Sequence, residues 1–165
     1  VTKMAKFQIS ETIHSEKVHT VRLGTTGAGN QYGYEENGKA VKLSADSRYV
    51  LAAAGDTIEG IVSSSNYPEQ GTVDGYSIGG IFRTGYKEVT FDGLQATPGT
   101  GVVAVGDYVV VGTVTAKGTA LPGPLKVTKA TTQADAKAAP FKARVVSLGS
   151  AGTGAVGTVG VVELF

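Results

Sequence analysis

The chain predicts an all-β fold: a compact β-sandwich or small β-barrel of short antiparallel strands, with an extended N-terminal arm and at most one short helix. Three observations predict it. Glycine is abundant, at 24 of 165 residues. It destabilises a helix or strand interior by roughly 0.5–1 kcal/mol relative to alanine, so most of these glycines belong in turns and bulges. Valine and threonine, which suit a pleated and half-buried surface, are plentiful. Short apolar or alternating runs are separated by turn signals about every 8–15 residues, and no apolar stretch of helical period is long enough for a crossover helix.

The central stretch is Arg48 to Val62. The apolar run Tyr49 to Ala54 enters a Gly55-Asp56 turn, and the run Thr57 to Val62 leaves it. Glycine accepts a positive φ and aspartate bonds the nearby backbone, so the pair marks a β-turn. The same grammar returns from Gly101 to Val114, with Gly106-Asp107 at its centre, as a second copy of one strand–turn–strand unit. Gly55, Asp56, Gly106 and Asp107 are therefore read as turn-forming.

In chain order, residues 1–13 mix polar and apolar side chains without period. They read as an extended arm or edge strand, of the kind a partner orders. Residues 14–165 read as a single β-domain. Lys17 to Leu23 alternates as a strand. Residues 24–39 form a Gly- and Tyr-bearing loop ending in the hairpin dipeptide Asn37-Gly38, and Ala40 to Leu43 resumes as a strand. After the central stretch, residues 63–77 loop again. Ile78 to Gly85 is a glycine-weakened strand, and Tyr86 to Phe91 alternates until Asp92-Gly93. The second Gly-Asp unit is followed by an irregular corner at 120–124 and a short strand at 125–128. Residues 129–140, rich in Ala and Thr and closed by Pro140, read as a short helix or a surface linker. Phe141 to Leu148 and Thr158 to Phe165 are the last strands, giving roughly nine or ten in all.

The formal net charge is +1, with no cysteine and no tryptophan. Disulfides, thiolate metal sites and cysteine nucleophiles are excluded. No basic cluster supports nucleic-acid binding, and no apolar run spans a bilayer. The first residues lack the apolar core of a signal peptide, so synthesis in the cytosol is expected.

No residue set reads as catalytic, cofactor-binding or metal-binding. Gly152-Thr-Gly-Ala-Val-Gly157 matches a dinucleotide fingerprint in letters, but a β-branched run follows it where a helix is required, so it reads as a hairpin loop. His14 and His19 are five apart, which places them on opposite faces of a strand. Asp56 and Asp107 are explained by their turns, and Ser63 to Ser65 lack a nucleophile motif and a histidine partner. Tyr32, Tyr34, Tyr67, Tyr76 and Tyr86 lie in or beside glycine-rich loops. Tyrosine suits interfaces, being large, rigid and polar at one end, so these are candidate contact aromatics.

The start Met4-Ala5-Lys6, the unit Ala54 to Val62, its echo at Val105-Gly106-Asp107 and the closing run Gly157 to Phe165 together resemble the head decoration, or cement, proteins of tailed bacteriophages. The resemblance implies a non-enzymatic protein without a cofactor. It would lie on the outer surface of the virion's capsid after synthesis in the host cytoplasm, and would bridge major capsid proteins to stabilise the shell. It also implies self-association, as a homotrimer or a dimer, with no nucleic-acid or membrane partner. The arm, through Lys6, Phe7, Gln8 and Ile9, is then the capsid contact, adding a strand to a capsid-protein sheet. The alternative is a β-sandwich carbohydrate- or surface-binding module of a phage tail or adhesin, using the loop tyrosines.

Overall fold

The computed structural model describes residues 18–24, 36–65, 77–114 and 124–165. They form eleven strands and one short helix. Strands β1 (Val18–Leu23), β2 (Ala40–Leu43), β3 (Tyr49–Leu51), β4 (Gly60–Ser65) and β5 (Ser77–Phe82) close into a barrel in the order β1-β3-β2-β4-β5. The second sheet contains β6 (Gly85–Leu94), β8 (Tyr108–Val111), β9 (Lys126–Lys129), β10 (Ala143–Ser147) and β11 (Val159–Leu164), with the two-residue β7 (Thr97–Pro98) appended to β6. The β11–β6 pairing closes these five into a ring as well.

The two rings have the same topology. In each, the first strand runs parallel to the third, and all other neighbours are antiparallel. They also match register for register. Val41↔Leu51, Lys42↔Val50 and Leu43↔Tyr49 correspond to Val109↔Lys129, Val110↔Thr128 and Val111↔Val127. Leu23↔Tyr49 corresponds to Phe91↔Val127, and Ala40↔Ile61 to Tyr108↔Arg144. The same irregularity recurs in the fourth strand, between Val62 and Ser64 and between Val145 and Ser147. The chain is an internal duplication of one barrel.

Closure removes free sheet edges, and alternation supplies the interior. In β11, Gly160, Val162 and Leu164 are buried while Val159, Val161 and Glu163 are not. Leu23, Val41, Tyr49, Val62 and Ile81 fill the first barrel. Phe91, Val89, Val103, Val109, Val127, Val145 and Val162 fill the second. That cluster continues through Ala40, Ala52, Ile58, Ile61 and Phe82 of the first barrel, so one apolar core joins the rings. Each buried aliphatic side chain contributes about 1.5–3 kcal/mol.

One kind of turn is pinned to a barrel wall four times. Glu36 to Lys39, Ala53 to Asp56, Ala104 to Asp107 and Ala155 to Thr158 each close with a bond from the fourth N–H to the first carbonyl, at 3.0, 3.0, 3.1 and 3.0 Å. The third residue is a glycine with φ of 83°, 87°, 92° and 83°, the mark of a type II turn. Each glycine N–H donates to a buried strand residue, respectively Val62, Val111, Val145 and Phe91, at 2.7 to 2.8 Å. That residue's own N–H donates to the fourth carbonyl of the turn. Every turn is thus pinned to a barrel wall by two backbone bonds. At both Gly-Asp turns the aspartate adds a bond from the first residue's N–H, Ala53 to Asp56 Oδ2 at 2.7 Å and Ala104 to Asp107 Oδ2 at 2.8 Å. Lys42 and Lys129 pair with the same carboxylates. Replacing Asp107 by alanine is expected to lower stability by about 1–2 kcal/mol, because one charge-assisted bond and one partly exposed ion pair are lost. Urea unfolding of Asp107→Ala checks this.

The structure refines several expectations. The helix alternative holds for the Ala/Thr-rich segment, with α1 at Gln133–Ala138. The two Gly-Asp turns are not copies of one another, because Gly106 corresponds in the duplication to Gly38 and not to Gly55. Asp92-Gly93 does not end its strand: β6 continues to Leu94, with Gly93 bulged at φ 84°. The stretch after Gly55-Asp56 becomes a strand only from Gly60, since residues 57–59 are spent on carrying the turn to the second barrel.

Candidate partner-binding surface

The structure brings two uncharged runs of chain together at one end of the second barrel. From Gly93 to Gly106, and again from Val145 to Val162, no residue is charged. An isolated bridge joins Val102 to Ala155, and the Val103 N–H donates to the Gly154 carbonyl at 3.0 Å. The turns Ala104–Asp107 and Ala155–Thr158 hold the two runs against Val145 and Phe91. Val102 and Val105 are each 61% exposed and Val156 39%. Val105 and Val156 both occupy the second position of their turns, where the backbone directs a side chain away from the wall that receives the glycine. On the same runs Ala104 and Ala151 are exposed, as are Thr97, Thr100, Ser150 and Thr153.

The tip therefore carries three exposed valines and no charge, and it is pinned by backbone hydrogen bonds. Charge depletion at the centre of a patch is what distinguishes interface cores from ordinary surface. A backbone fixed in advance lowers the ordering cost of association. Charges stand at its borders. Asp107 pairs with Lys129 at 3.0 Å. At Asp92, burial works to raise the carboxyl pKa. The Thr113 hydroxyl and N–H bonds, aided by Lys126, outweigh burial and hold the group below the ordinary range.

The sequence-predicted residues distribute as follows. Gly55, Asp56, Gly106 and Asp107 form the turns assigned to them. Gly106 and Asp107 also bound the tip, whereas Gly55 and Asp56 join the barrels through Val111. Lys6, Phe7, Gln8, Ile9, His14, Tyr32, Tyr34, Tyr67 and Tyr76 lie outside the described residues. Tyr86 is 46% exposed at the start of β6, paired with Glu163, and so stands at the opposite end of that strand from the tip. His19 is exposed on β1. Gly152 to Gly157 belongs to the connection between the antiparallel strands β10 and β11, a hairpin loop. Among the described residues, no group of three or more His, Cys, Asp or Glu is placed to hold a metal ion, and no helix is long and apolar enough to cross a membrane. Sequence reasoning missed Val102, Val105 and Val156. The available signal was the absence of charge across both runs.

No family model, curated protein or solved structure matches the chain.

Proposed function

We propose that the chain is a structural binding protein that decorates the outside of a tailed-phage head and bridges major capsid proteins to stabilise the shell. The observation that carries this reading is the uncharged, turn-pinned tip formed by Val102, Val105 and Val156. It offers a rigid apolar contact of the kind that a fixed protein surface receives. The strand-turn grammar from Ala54 to Val62 and at Val105 to Asp107 supports the same reading. In it the arm residues Lys6, Phe7, Gln8 and Ile9 add a second contact by strand addition, self-association as a trimer or dimer multiplies the contacts across a repeating shell, and no catalytic step or cofactor is involved.

Titration of the purified chain against expanded phage heads assembled without it, read by co-sedimentation, tests the reading. The double variant Val105→Asp, Val156→Asp is expected to bind at least tenfold more weakly, because two charges must be desolvated in an apolar contact. Its circular dichroism should be unchanged, since both side chains are exposed. Deleting residues 1–12 is expected to weaken binding separately. Wild-type chain that ignores heads but is retained on a glycan array would transfer the assignment to the carbohydrate-binding alternative.

A further inference from the structure

The Glu36–Lys39 turn holds a reactive pair. Asn37-Gly38 is the chain's one Asn-Gly sequence, since Asn30 and Asn66 precede Gln31 and Tyr67. Asparagine is chemically labile, and most so before glycine, whose missing side chain lets its backbone nitrogen reach the carboxamide. Asn37 is exposed. The turn needs no carboxamide at this place. In the duplication Val105-Gly106 occupies it, closes the same turn and seats on Val145 as Gly38 seats on Val62. Asn-Gly also favours a type I′ turn, with two positive φ angles, whereas here only Gly38 has one.

While the turn is seated, the pair is inert. The Gly38 N–H donates to the Val62 carbonyl at 2.7 Å, and the Val62 N–H donates to the Lys39 carbonyl at 3.0 Å. Val62 is buried. A nitrogen bonded into that wall can neither give up its proton nor swing toward Cγ of Asn37. This turn also has the weakest latch of the four. At Ala53–Asp56 and Ala104–Asp107 a carboxylate accepts from the first residue's N–H, and at Ala155–Thr158 a hydroxyl donates to the first carbonyl. Lys39 stands at the fourth place here. Its ammonium accepts no hydrogen bond, and it lies 3.8 Å from Glu36 Oε1, beyond hydrogen-bond distance. A segment held by fewer bonds opens locally at a lower free energy than the whole fold.

We propose that Asn37 is a deamidation site gated by its own turn. When Glu36–Lys39 lifts from Val62, the freed Gly38 nitrogen attacks Cγ of Asn37. The Cγ–Nδ2 bond breaks, and ammonia leaves with the proton that Gly38 loses. The product is a succinimide ring, which water opens on either side of its nitrogen. Cleavage at Cγ leaves aspartate on the ordinary backbone. Cleavage at the Asn37 backbone carbonyl routes the chain through Cγ and leaves isoaspartate, one carbon longer. The two products differ in effect. Aspartate keeps the backbone bonds of the turn, because the side chain at 37 is exposed. Isoaspartate cannot hold the closing bond from Lys39 to Glu36, at 3.0 Å, together with both bonds to Val62. Deamidation therefore ends in an irreversible loosening of the first barrel's wall. The uncharged tip belongs to the second barrel, so the site stands or falls independently of head binding.

Peptide mapping by mass spectrometry, with isoaspartate counted by enzymatic methylation, tests this on the full chain at mildly alkaline pH. The native chain is expected to convert Asn37 at least about tenfold more slowly than the same chain unfolded in urea. Lys39→Thr, which supplies the hydroxyl latch of the Ala155–Thr158 turn, should slow native conversion further and leave the rate in urea unchanged. Purified isoaspartyl chain should unfold at a lower urea concentration than wild type, whereas Asn37→Asp should unfold with wild type. Native and unfolded chains converting at the same rate would overturn the gate, as would Lys39→Thr converting natively as fast as wild type. A native chain that never accumulates isoaspartate at Asn37 would overturn the site itself.

Discussion

Replacing Phe91 by alanine is expected to cost about 3–5 kcal/mol, the range for emptying an aromatic site in a core. The midpoint of thermal unfolding should fall by about 10 °C for a chain of this size. Phe91 is wholly buried and does three things at once. It fills the second barrel at the parallel closure, opposite Val127. Its backbone receives the Gly157-Thr158 turn. Its ring also covers Gly160, where a Cβ would lie 2.3 Å from the ring carbon Cζ. The barrel is too narrow there for two side chains, so an aromatic on one strand sits over a glycine on another. Gly79 stands at the corresponding place in the first barrel, pairing with Val21 as Gly160 pairs with Val89. Differential scanning calorimetry of Phe91→Ala measures the loss. Phe91→Leu should recover more than half of it, because the volume is largely restored.

Gly154→Ala is the second large effect, about 2–4 kcal/mol. A Cβ there would lie 1.9 Å from the Val103 carbonyl oxygen, which is backbone and has no rotamer to yield. The left-handed conformation, φ 56°, adds about 1–2 kcal/mol for any non-glycine residue. The two segments of the tip would have to part, breaking the bond from Val103 to Gly154. Gly106→Ala separates the two contributions. That glycine has a φ of 92° but open space around its Cβ direction, so only the conformational cost of about 1 kcal/mol applies. Urea unfolding of the two variants side by side should therefore show Gly154→Ala as clearly the more damaged. It should also lose partner binding, since the tip depends on that contact.

Turn chemistry was the legible part of this fold. Gly55-Asp56, Gly106-Asp107 and Asn37-Gly38 each announce a positive φ followed or preceded by a polar residue, and each is a turn. The fourth member was hidden because Thr158 stands where the others have Asp or Lys. Its hydroxyl donates to the Ala155 carbonyl at 2.6 Å, replacing the carboxylate that accepts from the first N–H at the Gly-Asp turns. The alternation of Lys17 to Leu23 and of Tyr86 to Phe91 placed β1 and β6, which local periodicity can do.

The duplication was not legible. Shared residues such as Val21 and Val89, Gly38 and Gly106, Val41 and Val109, and Val62 and Val145 are scattered among connections of unequal length. Burial requires only an apolar residue at most of these positions, so Leu23 and Phe91, or Tyr49 and Val127, serve the same place with no likeness in the letters. Barrel closure depends on parallel pairs far apart in sequence, and no local pattern encodes them. The candidate site was invisible for a related reason. Val102, Val105 and Val156 look like core residues by type, and only the pairing of their loops shows that they face outward.

Hydroxyl-radical footprinting of the wild-type chain, free and bound to expanded phage heads, tests the central claim most directly. Labelling at Val102, Val105 and Val156 is predicted to fall several-fold on binding, while labelling at Tyr86, at the other end of β6, stays the same. Equal labelling of the three valines in the free and bound chain, with protection confined to other surfaces, would contradict the assignment of the tip as the binding surface.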